Sequence, residues 1–287
     1  MDSLISAEWL ADHLHDPDLV VLDCSVLIDV DADGNFQTRS GRTQYEKGHI
    51  PTAGFADLTA ELSDKDSRLQ YAVPAPEVFA ATMAKLGVDD GSRVVLYDSL
   101  GSTWAARVWW MLRWIGFDRA ALLDGGLDAW TAAGYELSTD IPNRNAGVLT
   151  PRVRPGLIVD KSAVHAAIGD DSATLIDALP ESSFRGERQM YARPGHIKGA
   201  INIPVFSMRT EDGRYKSAEE LKEIFSGVDD GRNITYCGGG IAASSTAFVM
   251  TRLGYSDVAV YTASLQEWAA DPANPMEVSP APQENTQ

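Results

Sequence analysis

Short apolar runs alternate along the chain with segments of helical spacing. Leu19–Leu22, Val94–Tyr97 and Ala120–Leu123 in the first half, and Thr174–Ile176, Ile234–Tyr236 and Val258–Tyr261 in the second, are almost wholly apolar. That pattern predicts strands covered on both faces rather than strands with one wet side. Pro76–Leu86, Thr103–Ile115, Ala218–Phe225 and Ala242–Leu253 space their apolar residues as helices do. Ser6, placed before Trp9 and Leu10, reads as a helix N-cap. Strand–helix alternation predicts an α/β fold with mainly parallel sheets flanked by helices, and such sheets bind ligands at the carboxyl ends of their strands.

The pattern occurs twice. Val20-Val21-Leu22-Asp23 is echoed by Thr174-Leu175-Ile176-Asp177, and Gly48-His49-Ile50 by Gly195-His196-Ile197. Val94-Val95-Leu96-Tyr97-Asp98 is echoed by Asn233-Ile234-Thr235-Tyr236-Cys237. Leu127 and Trp130 return as Leu265 and Trp268 in the same order. Two homologous domains follow, 1–140 and 157–275, joined by a linker 141–156 that carries three prolines and two glycines. The proline-rich tail 276–287 reads as a strap or a frayed end.

Composition narrows the partners. The net charge is −17, and there is no Lys/Arg run that would draw a phosphate backbone or an anionic membrane. Nucleic acid and membrane are therefore excluded as expected partners. The N-terminus lacks the basic start and apolar core of a signal peptide, and no apolar run reaches the ~20 residues of a bilayer span. With only two cysteines, Cys24 and Cys237, neither a disulfide framework nor a four-cysteine metal site can form. A cytoplasmic enzyme with free thiols is the expectation. His13, His15 and His165 lack partners at metal spacing, so no metal or other cofactor is expected.

Cys237 is the candidate reactive centre. It follows a strand and heads Cys237-Gly238-Gly239-Gly240-Ile241-Ala242, after which a helix begins. Consecutive glycines let the backbone turn successive N–H groups inward as an anion nest, and the helix start adds about half a positive charge. Both favour a thiolate, the nucleophilic form of cysteine. The alternative is a small buried hydrophobe beside a tight turn, but the position at strand end, loop and helix start favours chemistry. In the first half Asp98 stands where Cys237 stands in the second, and a carboxylate is no substitute for a thiolate nucleophile. Cys24 follows another strand with no glycine loop.

At these positions the chain resembles the tandem rhodanese-type sulfurtransferases, which include thiosulfate and 3-mercaptopyruvate sulfurtransferases. The resemblance runs from about Ser3 to about Val278. It is carried by Gly48-His49-Ile50-Pro51, Ala106-Arg107-Val108-Trp109-Trp110-Met111-Leu112-Arg113, Leu123-Asp124-Gly125-Gly126-Leu127 with Trp130, and Gly195-His196-Ile197 with Gly199-Ala200-Ile201-Asn202-Ile203-Pro204. The resemblance implies two rhodanese-like domains, of which only the second is catalytic. It also implies a ping-pong relay in which Cys237 takes a sulfur from a small-molecule donor as a persulfide and passes it to a thiophilic acceptor. Cyanide, a thiol or a thioredoxin-like protein would be that acceptor. A second reading from another class is a redox-sensing or protein-binding module without turnover.

Departures from the family pattern bear on the substrate. Related phosphatases place an arginine six residues after the cysteine; Ala243 stands there, so a phosphate clamp is missing. Gly238, Gly239 and Gly240 match neither the basic loop of the thiosulfate type nor the Gly-Ser-Gly of the mercaptopyruvate type, although they are nearer to the latter. Arg185 and Arg188, with Arg193 competing, are candidates to hold the donor's negative group, since arginine suits planar anions. The loop residues Gly238, Gly239, Gly240, Ile241 and Ala242 are expected to line the substrate. His49 and His196 occur in both halves and read as structural, with His49 kept as a weaker proton-relay candidate. Asp23 and Asp177 read as strand-end groups, and Trp104, Trp109, Trp110 and Trp114 as core. Ser244, Ser245 and Thr246 are expected to serve the helix start.

Overall fold

The structure is a computed structural model, and it describes residues 1–31 and 36–279. The first half contains β1 (Leu4–Ile5), α1 (Ala7–His13), β2 (Leu19–Asp23), β3 (Val26–Val30), β4 (Phe36–Ser40), α2 (Arg42–Tyr45), β5 (Gly54–Phe55), α3 (Pro76–Lys85), β6 (Arg93–Tyr97), α4 (Thr103–Trp114), β7 (Ala120–Leu123) and α5 (Gly126–Ala132). The second contains β8 (Ile158–Val159), α6 (Lys161–Ala167), β9 (Ala173–Asp177), α7 (Glu181–Phe184), β10 (His196–Ile197), β11 (Ile201–Asn202), α8 (Ala218–Ile224), β12 (Arg232–Tyr236), α9 (Ile241–Leu253), β13 (Asp257–Tyr261), α10 (Ser264–Trp268) and β14 (Met276–Glu277).

Each half forms a five-stranded, all-parallel sheet. The orders are β1-β7-β6-β2-β5 and β8-β13-β12-β9-β11, the same topology twice. Every residue of β2 and β7 is buried, as uninterrupted apolar runs require. The central strands are β6 and β12, whose carboxyl ends deliver Asp98 and Cys237 to equivalent places. Ser6 caps α1 as expected, its side chain accepting from the Trp9 N–H.

The two halves meet through α4 and α9. Trp109 of α4 packs edge-on against Phe248 of α9, with ring centroids 4.8 Å apart, and both side chains are buried. Truncating a core aromatic of this kind costs about 3–5 kcal/mol. The linker has no regular element from 141 to 154 but is tied to the first half: Arg144 donates to the carbonyls of Leu19 and Thr52, and Thr150 bonds Asp90. The tail forms a strap as far as β14, which pairs antiparallel with β10. Its residues 280–287 lie outside the described ones.

Two features depart from the expected pattern. The antiparallel hairpin β3–β4 has no strand of its own in the sequence reading, because its two five-residue segments, VLIDV and FQTRS, show neither a clean alternation nor an uninterrupted apolar run. The helix after Cys237 begins at Ile241, one residue earlier than expected, so the loop proper is only Cys237–Gly240.

Candidate active site

Cys237 is 2% exposed and sits at the mouth of β12. Its backbone is fixed from the neighbouring helix start: the Cys237 N–H donates to Ser264 Oγ (3.1 Å), and the Leu265 N–H donates to the Cys237 carbonyl (3.1 Å). The Gln266 N–H donates in the same way to the Gly238 carbonyl (3.1 Å). The sulfur accepts from the Gly240 N–H at 3.1 Å. That bond exists because Gly240 adopts φ +83°, and a Cβ there would lie 2.8 Å from the Thr262 carbonyl oxygen. The first turn of α9 leaves its N–H groups without intrahelical acceptors next to the same sulfur. The donor that meets the sulfur is therefore backbone, not side chain.

A cavity of about 1030 Å³ opens onto Cys237. The second half supplies Leu179, Arg188, Gln189, Met190, Tyr191, Gly238, Gly239, Ile241 and Gln266 to its wall. The first half supplies Ile28, Gln37 and Thr38 of the β3–β4 hairpin together with Gln70, Tyr71 and Trp104. The domain without a nucleophile thus forms one side of the site. Gln266 and Gln70 clasp across the domain boundary with two 2.9 Å hydrogen bonds.

The candidate residues separate in space. Arg188 lines the cavity with Cys237, Gly238, Gly239 and Ile241. Arg185 is not part of that wall; it pairs with Glu181 and lies 3.9 Å from Glu187. Arg193 donates to the carbonyls of Trp268, Ala269, Asp271 and Asn274 and so closes the end of α10. Gly240 lies beneath the sulfur, and Ala242 lies in the first turn of α9.

His49 is fully buried, its ring nitrogens facing the carbonyls of Tyr45 and Asp140, and His196 meets the carbonyl of Phe184. Each stacks on an aromatic ring of its own half, which is the structural role expected. Asp23 and Asp177 accept N–H bonds from Ser25 and Leu179 at their strand ends. Cys24 is wholly buried, and burial raises its thiol well above the ordinary range, which makes it unreactive. Among the described residues no group of three His, Cys, Asp or Glu gathers as metal ligands do, and no helix is long and apolar enough to cross a membrane.

The sequence reading missed two contributors, Trp104 and Tyr191. Trp104 faces the cavity, while Trp109 and Trp110 belong to the core as expected. Of the polar residues in α9, Ser244 does serve the helix start, but Ser245 bonds Tyr215 and Arg209 instead. Tyr191 covers Gly238 so closely that a Cβ on that glycine would lie 1.6 Å from the phenol oxygen. Burial, reinforced by the nearby Cys237 sulfur, pushes the Tyr191 phenol upward, so it stays protonated beside the site.

The match to known proteins agrees with this geometry. The rhodanese-like domain family matches twice, over residues 6–133 and 160–271. The chain belongs to the tandem rhodanese-type sulfurtransferases. It is 34% identical to a probable 3-mercaptopyruvate sulfurtransferase of Pseudomonas aeruginosa, over 95% of this chain and 97% of that one. It is 32% identical to the thiosulfate/3-mercaptopyruvate sulfurtransferase 2 of Arabidopsis thaliana, over 96% and 86% of the two. The crystal structure of SseA from Escherichia coli, described as a 3-mercaptopyruvate sulfotransferase with the rhodanese fold, superposes with a TM-score of 0.82 at 32% identity, covering 92% of this chain and 99% of that one.

Proposed function

We propose that this sulfurtransferase moves sulfane sulfur from 3-mercaptopyruvate or thiosulfate to cyanide or a thiol, through a persulfide on Cys237. The observation that carries this reading is the Gly240 N–H directed at the Cys237 sulfur at 3.1 Å, at the start of a 13-residue helix and facing an open cavity. In the first half-reaction the thiolate attacks the donor's terminal sulfur. With thiosulfate the S–S bond breaks and sulfite leaves with the electron pair. With mercaptopyruvate the C–S bond breaks, and the electron pair passes to the pyruvate enolate, which then takes a proton. In the second half-reaction the acceptor attacks the outer sulfur and the Cys237 thiolate is released.

This chain's own residues account for the rest. The nest stabilises the sulfur anion in each resting state without side-chain charge in the loop. Arg188 lines the cavity with Cys237, which supports the reading that it holds the carboxylate or sulfonate end of the donor. The protonated Tyr191 phenol, over Gly238, supplies a donor where the family's loop serine is absent. The cavity is large for so small a donor, which leaves room for the acceptor to approach the persulfide.

Steady-state assay of both donors with cyanide as acceptor tests this reading. Thiocyanate formation should follow ping-pong kinetics, with mercaptopyruvate the better donor because the loop carries no basic residue. Absence of turnover with both donors contradicts it.

A further inference from the structure

Arg107 lies on α4, in the half that has no nucleophile, and it is 0% exposed. Its Nη2 donates to the Tyr71 carbonyl at 2.9 Å. Its Nε and Nη1 are buried and have no hydrogen-bond partner. Nη1 reaches across the domain boundary to the active loop: a Cβ on Gly240 would lie 3.0 Å from it. Gly240 is the residue whose N–H meets the Cys237 sulfur.

A guanidinium is never neutral in practice, and one buried without a counter-charge is strongly unfavourable. No carboxylate pairs with Arg107; the ionisable group that acts on it is Cys237. Burial lowers the guanidinium to about 10 even though the Cys237 sulfur works against it. The other titratable groups that interact with the sulfur are the Tyr191 and Tyr236 phenols, which burial keeps neutral, and Arg188 lines the same cavity.

The twin loop shows the same crossed arrangement. There the buried anion is Asp98, and the arginine acting on it is Arg209 of the second half. Counted from the left-handed residue before each helix, Ser102 and Gly240, the position of Arg107 on α4 is held by Ser245 on α9. Ser245 carries no charge and instead bonds Arg209.

We propose that Arg107 is a positioning residue for the reaction: the fixed counter-charge of the Cys237 sulfur, lent by the silent domain to the active loop. The second domain is then charge-complete only with the first in place. This rests on the reading of Cys237 as the reacting thiolate, but the test below does not require turnover.

The probe is iodoacetamide, with alkylation of the Cys237 peptide followed by mass between pH 5 and 9 in the full chain. Arg107→Gln keeps a donor for the Tyr71 carbonyl but loses the charge. Its alkylation rate at pH 7 should fall about tenfold, and its rate–pH curve should move to higher pH. Arg107→Lys should restore the curve to within about threefold of the wild type. Superposition of the Gln and wild-type curves in folded protein overturns the proposal. So does a Lys variant as slow as the Gln variant. Should Arg107→Gln fail to fold, the Lys variant decides alone: a curve near the wild type supports the counter-charge, and a curve shifted to high pH overturns it. A protein with no sulfurtransferase activity but a shifted Gln curve would sink the proposed function and leave this inference standing.

Discussion

The loops after β6 and β12 stand at the same place in twin domains, and each gathers backbone N–H groups around a negative atom. In the first, the Asp98 carboxylate accepts from Leu100, Ser102 and Ala105 at 2.7–2.8 Å. The residue that heads the loop fills the nest itself. In the second, the Cys237 sulfur accepts from the Gly240 N–H and faces a cavity of about 1030 Å³, and the rest of the loop is bare glycine. One nest is closed by its own side chain, and the other leaves its sulfur open to the cavity. On the proposed function, the same fold yields a structural plug or a reaction centre according to one side chain and the glycines behind it.

Exchange of the two head residues breaks the comparison most directly. Cys237→Asp should abolish sulfur transfer by at least about three orders of magnitude. Adding Asp98→Cys should not restore it. The cavity over that loop, about 530 Å³, is lined by Asp128, Glu211 and Asp212 beside Arg209 and Arg214 and offers an anionic donor no net positive field. Recovered turnover in the double variant would show that the loops are interchangeable.

Filling the bare loop comes next. Gly238→Ala puts a Cβ 1.6 Å from the Tyr191 phenol oxygen and should lower kcat/KM about a hundredfold. Combining it with Tyr191→Ala should recover the stability lost to the clash but not the rate, because the phenol donor goes with it. A Gly238→Ala enzyme of wild-type activity would mean that Tyr191 does not cover the loop in solution.

The plug should matter for stability rather than rate. Asp98→Ala strips the acceptor from three N–H groups and should cost about 2–4 kcal/mol in thermal or urea unfolding. Turnover per folded molecule should change less than about twofold.

The smallest effect lies at the strand-end carboxyls. Burial raises Asp177 to about 7 and its twin Asp23 to about 6. A carboxyl raised in the folded state gives stability that is present below its unfolded value, near 3.9, and lost as pH rises through the folded value. Asp177→Asn should therefore gain stability relative to wild type between about pH 4 and pH 7, and Asp23→Asn only up to about pH 6. Unfolding midpoints at pH 5 and pH 8 check both windows. A gain that shrinks with rising pH would contradict the burial argument.

The two sheets and the head residue of each loop were legible because apolar runs and the Asp98/Cys237 exchange are local signals. Strand limits agreed within a residue or two, since buried parallel strands leave uninterrupted apolar runs. The edge strands β1, β5, β8 and β11 were not legible, because a two-residue pair has no period to detect. Arg107 was visible only as part of a family-like run. Its role depends on α4 crossing to the other domain's loop, which no spacing along one chain reveals. Trp104 was hidden for the same reason, and Tyr191 because only the fold brings it over Gly238; Arg188 was a candidate because residues 183–188 resemble the family's substrate-binding arginine stretch.

The most direct test of the central claim is the mass of the Cys237 peptide after exposure of the purified protein to mercaptopyruvate or thiosulfate. The account predicts one added sulfur on Cys237, none on Cys24, and loss of the adduct when cyanide is added. A Cys237 left unmodified by both donors, or an adduct carried by Cys24, would contradict it.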